Sequence, residues 1–153
     1  MELPITSKLN QHRIPFRLIA LRQAAMSVDD VALYAVDPVP MEEICKTVIV
    51  KGRKTGKSYG ILLCGRDKIA FGKLKKILGE EAMMGSPEDV KIAAGVDPGA
   101  VCPFLLSVPL FMDQKIVPMK RINCGSGDYL HGLEFDPADL VRAVECTVVD
   151  VAK

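Results

Sequence analysis

Residues 45–65 constrain the fold of this chain more than any other segment. They contain two apolar runs rich in β-branched residues, CKTVIVKG and YGILLCG, separated by the charged stretch RKTGKS. Runs of this composition favour strands, and a short polar connection that contains glycine is typical of a hairpin. We therefore predict a β-hairpin in this part of the chain.

Short helices are predicted on both sides of the hairpin. In SPEDVKIAAG, Ser86 is the predicted N-cap, Pro87 the first helical residue and Gly95 the stop, and DPADLVRAV begins the same way at Asp136 and Pro137. Further helices are predicted in TSKLNQHRI, opening at Thr6 or Ser7, in SVDDVALYAV, with Ser27 as N-cap, and in FGKLKKILG, stopping at Gly79. Further strands are predicted in PFRLIAL, VPLFMD, KRINCGS, YLHGLEF and CTVVDV.

This mixture of a hairpin, isolated strands and short helices indicates an α+β fold rather than regular βαβ winding. The 153 residues fit one domain, 1–153, and 49% of them are hydrophobic, which is a globular composition. The formal net charge of +1 predicts no chain-wide attraction to nucleic acid, so any such contact requires a local patch. No signal peptide or membrane-spanning run is visible, and we expect a soluble, cytoplasmic protein.

The metal-binding and disulfide patterns that a short chain can carry are not found. The five cysteines are widely spaced and never form a C-x-x-C pair, which disfavours a disulfide framework or a zinc ribbon. The two histidines have no spacing typical of metal ligands. We therefore expect neither a metal nor another cofactor.

The tip of the predicted hairpin is strongly basic. GRKTGKS superficially matches a phosphate-binding P-loop, but Gly52 and Gly56 have three residues between them instead of four, and a strand follows instead of a helix. A charged hairpin tip is the preferred interpretation. The alternative is a contact surface for a nucleic-acid backbone, formed by Lys51, Arg53, Lys54 and Lys57.

Individual residues suggest chemistry without deciding it. Lys46, at the start of an apolar strand, is either solvated or a partly buried amine that binds an anion. His131 is either a general base or a hydrogen-bonded strand residue. Cys102 could be a nucleophile, although no neighbour in sequence would lower its pKa, and a buried small residue is the better interpretation. Asp113 is either a charge partner for a lysine or a strand terminator.

Two glycine-containing loops could present backbone amides to a ligand. Gly99 permits close approach because it has no Cβ, and Pro103 restrains the far end of the PGAVCPFL loop. The stretch CGSGD is either a plain turn or an amide-rich concavity that holds a polar ligand.

The order of these features resembles the YbaK-like family of aminoacyl-tRNA editing domains, which includes free-standing deacylases and the insertion domain of bacterial prolyl-tRNA synthetase. The resemblance covers about residues 44 to 145 and is carried by CKTVIVKG, GRDKIAFGKLKKILG, SPEDVKIAAGVDPGAVCPF, VPLFMDQKI and INCGSGDYLHGLEFDPADLVRAV. Its most specific element is the G-x-x-x-P motif from Gly99 to Pro103. The first forty residues match only loosely.

The resemblance implies a single mixed α/β domain with a barrel-like or strongly curved sheet. It also implies a free-standing enzyme that hydrolyses the ester of mischarged tRNA, with tRNA-Pro carrying Cys or Ala as the expected substrate and prolyl-tRNA synthetase as a possible partner. Lys46, Gly99 and Asp113 match the catalytic positions of the family. The implied substrate-binding residues are Ala100, Val101, Cys102, Pro103, Gly125, Ser126 and His131.

Two other functions are compatible with the same residues. The chain lacks a conventional nucleophile and base, as expected of a module that binds tRNA ends, nucleotides or a protein without hydrolysis. A hydrolase that uses Cys102 is the third hypothesis.

Overall fold

The computed structural model describes residues 3–153, which form five helices and eight strands together with three short 3-10 helices. The helices are α1 (Pro4–Gln11), α2 (Val28–Tyr34), α3 (Phe71–Leu78), α4 (Pro87–Ala94) and α5 (Pro137–Ala143). The strands are β1 (Arg17–Ala20), β2 (Cys45–Gly52), β3 (Ser58–Cys64), β4 (Ala82–Met84), β5 (Leu110–Asp113), β6 (Ile122–Gly125), β7 (His131–Phe135) and β8 (Cys146–Val149).

The strands form two sheets. The larger sheet has the order β4-β2-β3-β5-β8, in which β2 pairs antiparallel with β3 and β4, while β5 is parallel to both β3 and β8. The smaller sheet is antiparallel, with the order β1-β7-β6. The α+β fold class and the predicted hairpin are thus confirmed.

The two sheets meet at one point without closing. A single parallel bridge joins Ile44, just before β2, to Asn123 in β6. Among residues 3–153, no further pairing between β2 and β6 extends that bridge, so the two sheets stay separate. The barrel-like closure that the family resemblance implied is therefore replaced by two linked sheets.

Three groups of apolar residues hold the layers together. The largest lies between α1, α5 and both sheets, where the rings of Phe104 and Phe135 pack edge to face with their centroids 4.8 Å apart. The second covers the opposite face of the larger sheet, beneath Leu74 of α3. The third lies beneath α4 and includes Val90 of the helix and Val101 of the loop that follows it.

Helix α4 has the ends that its sequence predicts. The Ser86 hydroxyl accepts a hydrogen bond from the Asp89 amide, and the Asp89 carboxylate accepts one from the Ser86 amide. Gly95 ends the helix in a left-handed conformation, with φ at 77°. This reciprocal cap satisfies two amides that the first turn leaves free, and it fixes where the following loop begins.

Helix α1 starts earlier than predicted. It begins at Pro4, whose fixed φ suits the first helical position. The Thr6 side chain accepts a hydrogen bond from the Leu3 amide instead of capping a helix of its own. Strand β4 was not predicted, since three residues are too few to show a hydrophobic period. Within residues 3–153, no helix combines the length and the apolarity needed to cross a bilayer.

Candidate functional site

A cavity of about 270 Å³ opens along the free edge of β2. Strand β4 covers this edge only from Val50 onward, and the Ile44–Asn123 bridge lies at the other end. Between them, residues 45–49 line the cavity. We call this space the central cavity. Its lining comes from both sheets, with residues of β2 on one side and residues of β1, β6 and β7 on the other.

Lys46 contributes a half-buried amine to this cavity. Burial lowers the pKa of its ammonium, and the nearby charge of Lys68 acts in the same direction, whereas Asp67 opposes them. Among the described residues, Lys46 has no ion-pair partner. A partly desolvated cation without a direct ion-pair partner favours binding of an anionic or strongly polar ligand.

The smaller sheet provides the floor of the cavity. Ile19, Gly132 and Gly125 lie side by side on β1, β7 and β6, and all three line the cavity. A Cβ on Gly132 would meet its nearest neighbour, Ile19 Cβ, at an ordinary 3.7 Å. Gly132 therefore leaves room in the cavity, whereas a Cβ on Gly125 would collide with the Val101 carbonyl oxygen.

The loop after α4 forms another wall. Gly99 adopts φ of 103°, and a Cβ at this position would lie 2.8 Å from the Ala25 carbonyl oxygen. Gly99 and Val101 both line the cavity, and within residues 3–153 their backbone amides have no hydrogen-bond acceptor. The loop is thus fixed by close backbone packing, while two of its donors stay available.

His131 and Asp128 line the cavity together. His131 Nδ1 lies 2.7 Å from Asp128 Oδ2, and this hydrogen bond lowers the pKa of Asp128. The Ser126 hydroxyl donates to the His131 carbonyl oxygen over 2.6 Å and accepts from the Asp128 amide. Ser126 is itself buried outside the lining, so it shapes the turn that presents His131 and Asp128.

Comparison with known protein families identifies the family of this chain. The model of the aminoacyl-tRNA editing domain matches residues 23–143, well over half of the chain. The chain belongs to the aminoacyl-tRNA editing domain family. The matched region includes Lys46, the Gly99 loop and the His131–Asp128 pair.

Solved structures share the fold of this editing domain. The hypothetical protein APE2540 is 24% identical, with a TM-score of 0.88 over 97% of this chain and 99% of that one. A protein provisionally described as a trans-editing enzyme for prolyl-tRNA synthetase is 18% identical, with a TM-score of 0.81 over 100% and 99%. A proposed signal transduction protein from Marinobacter aquaeolei VT8, also 18% identical, matches with a TM-score of 0.70 over 99% of this chain and 31% of that one. At these identities the likeness shows the fold.

The structure of the editing domain separates Asp113 from the central cavity. Asp113 is fully buried at the end of β5 and does not line the cavity. One carboxylate oxygen accepts hydrogen bonds from the Val151 and Ala152 amides, both at 3.0 Å, and the other accepts from the Lys115 amide. The carboxylate holds β5 against the chain that follows β8. Asp113 is therefore not included among the residues proposed to act in catalysis.

Three residues of the G-x-x-x-P motif also lie behind the cavity wall. Ala100, Cys102 and Pro103 are buried and do not line the cavity, in contrast to Gly99 and Val101. Burial raises the pKa of the Cys102 thiol to about 12. Cys102 is therefore a protonated core residue at neutral pH, which leaves it a poor nucleophile.

The basic hairpin tip of the editing domain is partly neutralised. Lys51 Nζ lies 3.3 Å from the Asp89 carboxylate, and Arg53 Nε lies 3.9 Å from that of Glu81. The Glu80 carboxylate accepts hydrogen bonds from the Lys54 amide and from Thr55. The backbone of the tip is thus hydrogen-bonded to Glu80. Of the four basic residues at the tip, Lys54 and Lys57 have no ion-pair partner among the described residues.

A second cavity of about 330 Å³ adjoins the first at Lys46. Its lining includes Phe71, which is 40% exposed, and three lysines, and no Asp or Glu side chain is among the described lining residues. We call it the lysine cleft, after Lys46, Lys68 and Lys153. Lys68 and Lys153 are distant in sequence, but the Lys153 amide donates to the Lys68 carbonyl oxygen over 2.8 Å. Sequence patterns gave no signal for this site, because only the fold brings its residues together.

Proposed function

We propose that this chain is a free-standing editing enzyme that hydrolyses the ester of mischarged tRNA in trans, with tRNA-Pro carrying Ala or Cys as its substrate. The observation that carries the proposal is the meeting of Lys46, the free amides of Gly99 and Val101, and an apolar floor in one small cavity. A short side chain of low polarity, such as that of Ala or Cys, suits such a space. The neighbour provisionally described as a trans-editing enzyme for prolyl-tRNA synthetase supports the choice of tRNA.

The proposed reaction needs little from the protein beyond positioning and charge stabilisation. An aminoacyl ester is already activated, and water attacks its carbonyl carbon. Negative charge then develops on the carbonyl oxygen, where the amides of Gly99 and Val101 are suited to donate hydrogen bonds. The ester C–O bond breaks, and the ribose oxygen takes up one proton of the attacking water. The amino acid leaves as a carboxylate, and the second proton of the water passes to solvent.

Lys46 is proposed to hold the terminal nucleotide. Its ammonium is half-buried and lies where the central cavity joins the lysine cleft. One lysine can therefore attract a phosphate oxygen on one side while the ester enters the cavity on the other. His131 is proposed to bind the substrate, with Asp128 fixing its ring through the 2.7 Å contact.

The lysine cleft is proposed to receive the phosphates of the acceptor end. Lys68 and Lys153 add positive charge beside Lys46, and the exposed face of Phe71 offers a surface on which a base can stack. The hairpin tip, Lys51, Arg53, Lys54 and Lys57, is proposed as a weaker, outer contact. A cytoplasmic location and an encounter with prolyl-tRNA synthetase complete the proposal, because mischarged tRNA leaves the synthetase there.

A binding module without hydrolysis is the second candidate. Burial raises the pKa of the Cys102 thiol, and also the pKa of Cys45 and Cys124, the two cysteines that line the cavity, so none of these thiols is activated as a nucleophile. The same fold also occurs within a longer chain provisionally assigned to signal transduction. The two candidates differ in turnover. Incubation with Ala-, Cys- and Ser-tRNA-Pro is expected to release amino acid over many cycles, whereas stoichiometric binding without release would favour the module.

A further inference from the structure

Asn123 has two buried polar atoms that no part of the described chain satisfies. The residue is 2% exposed in β6, and neither its amide nitrogen Nδ2 nor its amide oxygen Oδ1 has a hydrogen-bond partner among residues 3–153. It lies beside Glu134 of β7 and Ile44 before β2, where the two sheets join. Asn123 also lines the central cavity.

An unpaired primary amide in this position destabilises the free protein. Buried donors and acceptors are almost always paired, because taking them out of water without a partner costs free energy. An apolar side chain of the same size would avoid that cost. The neighbouring Ile122 and Cys124 belong to the largest apolar cluster, and the alternation of side chains along a strand puts the Asn123 side chain on the other face of β6.

The chemistry of the amide limits what can pair with it. Oδ1 accepts hydrogen bonds and Nδ2 donates two, so the best ligand offers a donor and an acceptor close together. An α-amino acid ester does so, with its ammonium group next to its carbonyl. The cavity has the matching charges: Asp128 provides a carboxylate on its wall, and Lys46 provides the cation at the junction with the lysine cleft.

We propose that Asn123 binds the α-amino group of the aminoacyl moiety through Oδ1 and makes the cavity specific for esters with a free amine. The inference rests on the proposed function and adds a substrate requirement to it. An ester whose amine is acylated, as in a peptidyl ester, loses the charged donor and gains bulk next to Asn123. The enzyme thereby discriminates against N-acylated tRNA.

The test compares two non-hydrolysable probes by calorimetry. One is 3′-alanylamino-3′-deoxyadenosine, and the other is the propionyl analogue, which lacks only the amine. We expect wild type to bind the alanyl probe about tenfold more tightly or better, the effect of one hydrogen bond to a charged group. Asn123→Leu is expected to reduce this ratio to about one, whereas Asn123→Asp, which keeps an acceptor, retains it.

A control isolates the unpaired amide from the cavity as a whole. Tyr129 also lines the cavity, but its hydroxyl is already paired with Asp97, at 3.1 Å from both the backbone amide and the carboxylate. Tyr129→Phe is expected to keep the alanyl preference. Asn123→Leu is also expected to raise the Tm of the ligand-free protein, because it removes an unsatisfied buried group. If Asn123→Leu fails to fold, Asn123→Ala, which also lacks an acceptor, provides the same binding test.

Equal binding of the two probes by wild type, or failure of both to bind, overturns the inference. A preference that survives in Asn123→Leu or Asn123→Ala also overturns it. Failure of the proposed function gives a different result: wild type would still prefer the alanyl probe but would release no amino acid from aminoacyl-tRNA.

Discussion

Gly99 packs so closely against the carbonyl oxygen of Ala25 that a Cβ on Gly99 would lie only 2.8 Å from that oxygen. The contact joins the loop after α4 to the segment before α2, and both line the central cavity. Gly99 also has φ of 103°, which side-chain-bearing residues rarely adopt. Backbone conformation and packing thus both require glycine.

Gly99→Ala is expected to lower the free energy of unfolding by about 1–3 kcal/mol from conformation alone, with a further loss from the collision. Gly56→Ala is the matched control, since Gly56 has φ of 73° and nothing within 4 Å of a Cβ. It should lose only about 1 kcal/mol. Urea unfolding measures both variants, and equal losses would contradict the packing argument.

Gly132→Ala tests the floor of the cavity. The added methyl group makes only ordinary contacts, so the variant should fold normally while filling space that the substrate uses. We expect kcat/KM for Cys-tRNA-Pro to fall about tenfold relative to Ala-tRNA-Pro, the typical effect of one methyl group in a tight pocket. Gly72→Ala in α3, where a Cβ meets nothing within 4 Å, should leave the ratio unchanged. If Gly132→Ala leaves the ratio unchanged, the floor of the cavity does not determine which aminoacyl group is hydrolysed.

Lys68→Glu tests whether the lysine cleft binds the acceptor end. We expect it to weaken tRNA binding more than Lys57→Glu, which makes the same charge change at the hairpin tip. It should also lower the slope of log Kd against log salt by about 0.7–0.9, the effect of one lost phosphate contact. Filter binding between low and moderate salt measures both quantities. A larger effect from Lys57→Glu would assign the main contact to the tip.

Cys102→Ala tests the cysteine-dependent alternative. Because burial raises the pKa of this thiol to about 12, the fraction present as thiolate is negligible near neutral pH. Raising the pH from 7 to about 9 therefore should not activate Cys102 towards iodoacetamide, and its peptide should stay unmodified in mass spectrometry of the folded protein. The variant should keep its kcat for deacylation. Loss of kcat in a folded Cys102→Ala protein would support the hypothesis that Cys102 is the nucleophile.

The sequence predicted those features that local signals determine. The ends of α4 follow from Ser86, Asp89 and Gly95, which interact within one or two helical turns. Lys46 and Gly99 were selected through their order along the chain, and the fold brings both to one cavity. Asp113 was selected in the same way, yet its carboxylate faces the backbone of residues 151 and 152, and position at a strand end carries no information on that.

The features that sequence reasoning missed depend on contacts between distant residues. Lys68 and Lys153 meet only because residues 69 and 152 pair as an isolated bridge. The unpaired amide of Asn123 lies within an apolar-looking strand, and nothing local distinguishes it from an exposed asparagine. Strand β4 forms because it pairs with the edge of β2. Its three residues are too few to show the alternation of apolar and polar residues that indicates a strand.

The central claim is that the cavity around Lys46 hydrolyses the aminoacyl ester. Single-turnover deacylation of Ala-tRNA-Pro and Cys-tRNA-Pro tests it most directly, with wild type beside Lys46→Ala and the matched surface variant Lys57→Ala. We predict rapid hydrolysis by wild type and by Lys57→Ala, and a rate at least about a hundredfold lower for Lys46→Ala, as for loss of one preorganised charge-stabilising group. Hydrolysis of neither substrate by wild type, or an undiminished rate in Lys46→Ala, would contradict the account.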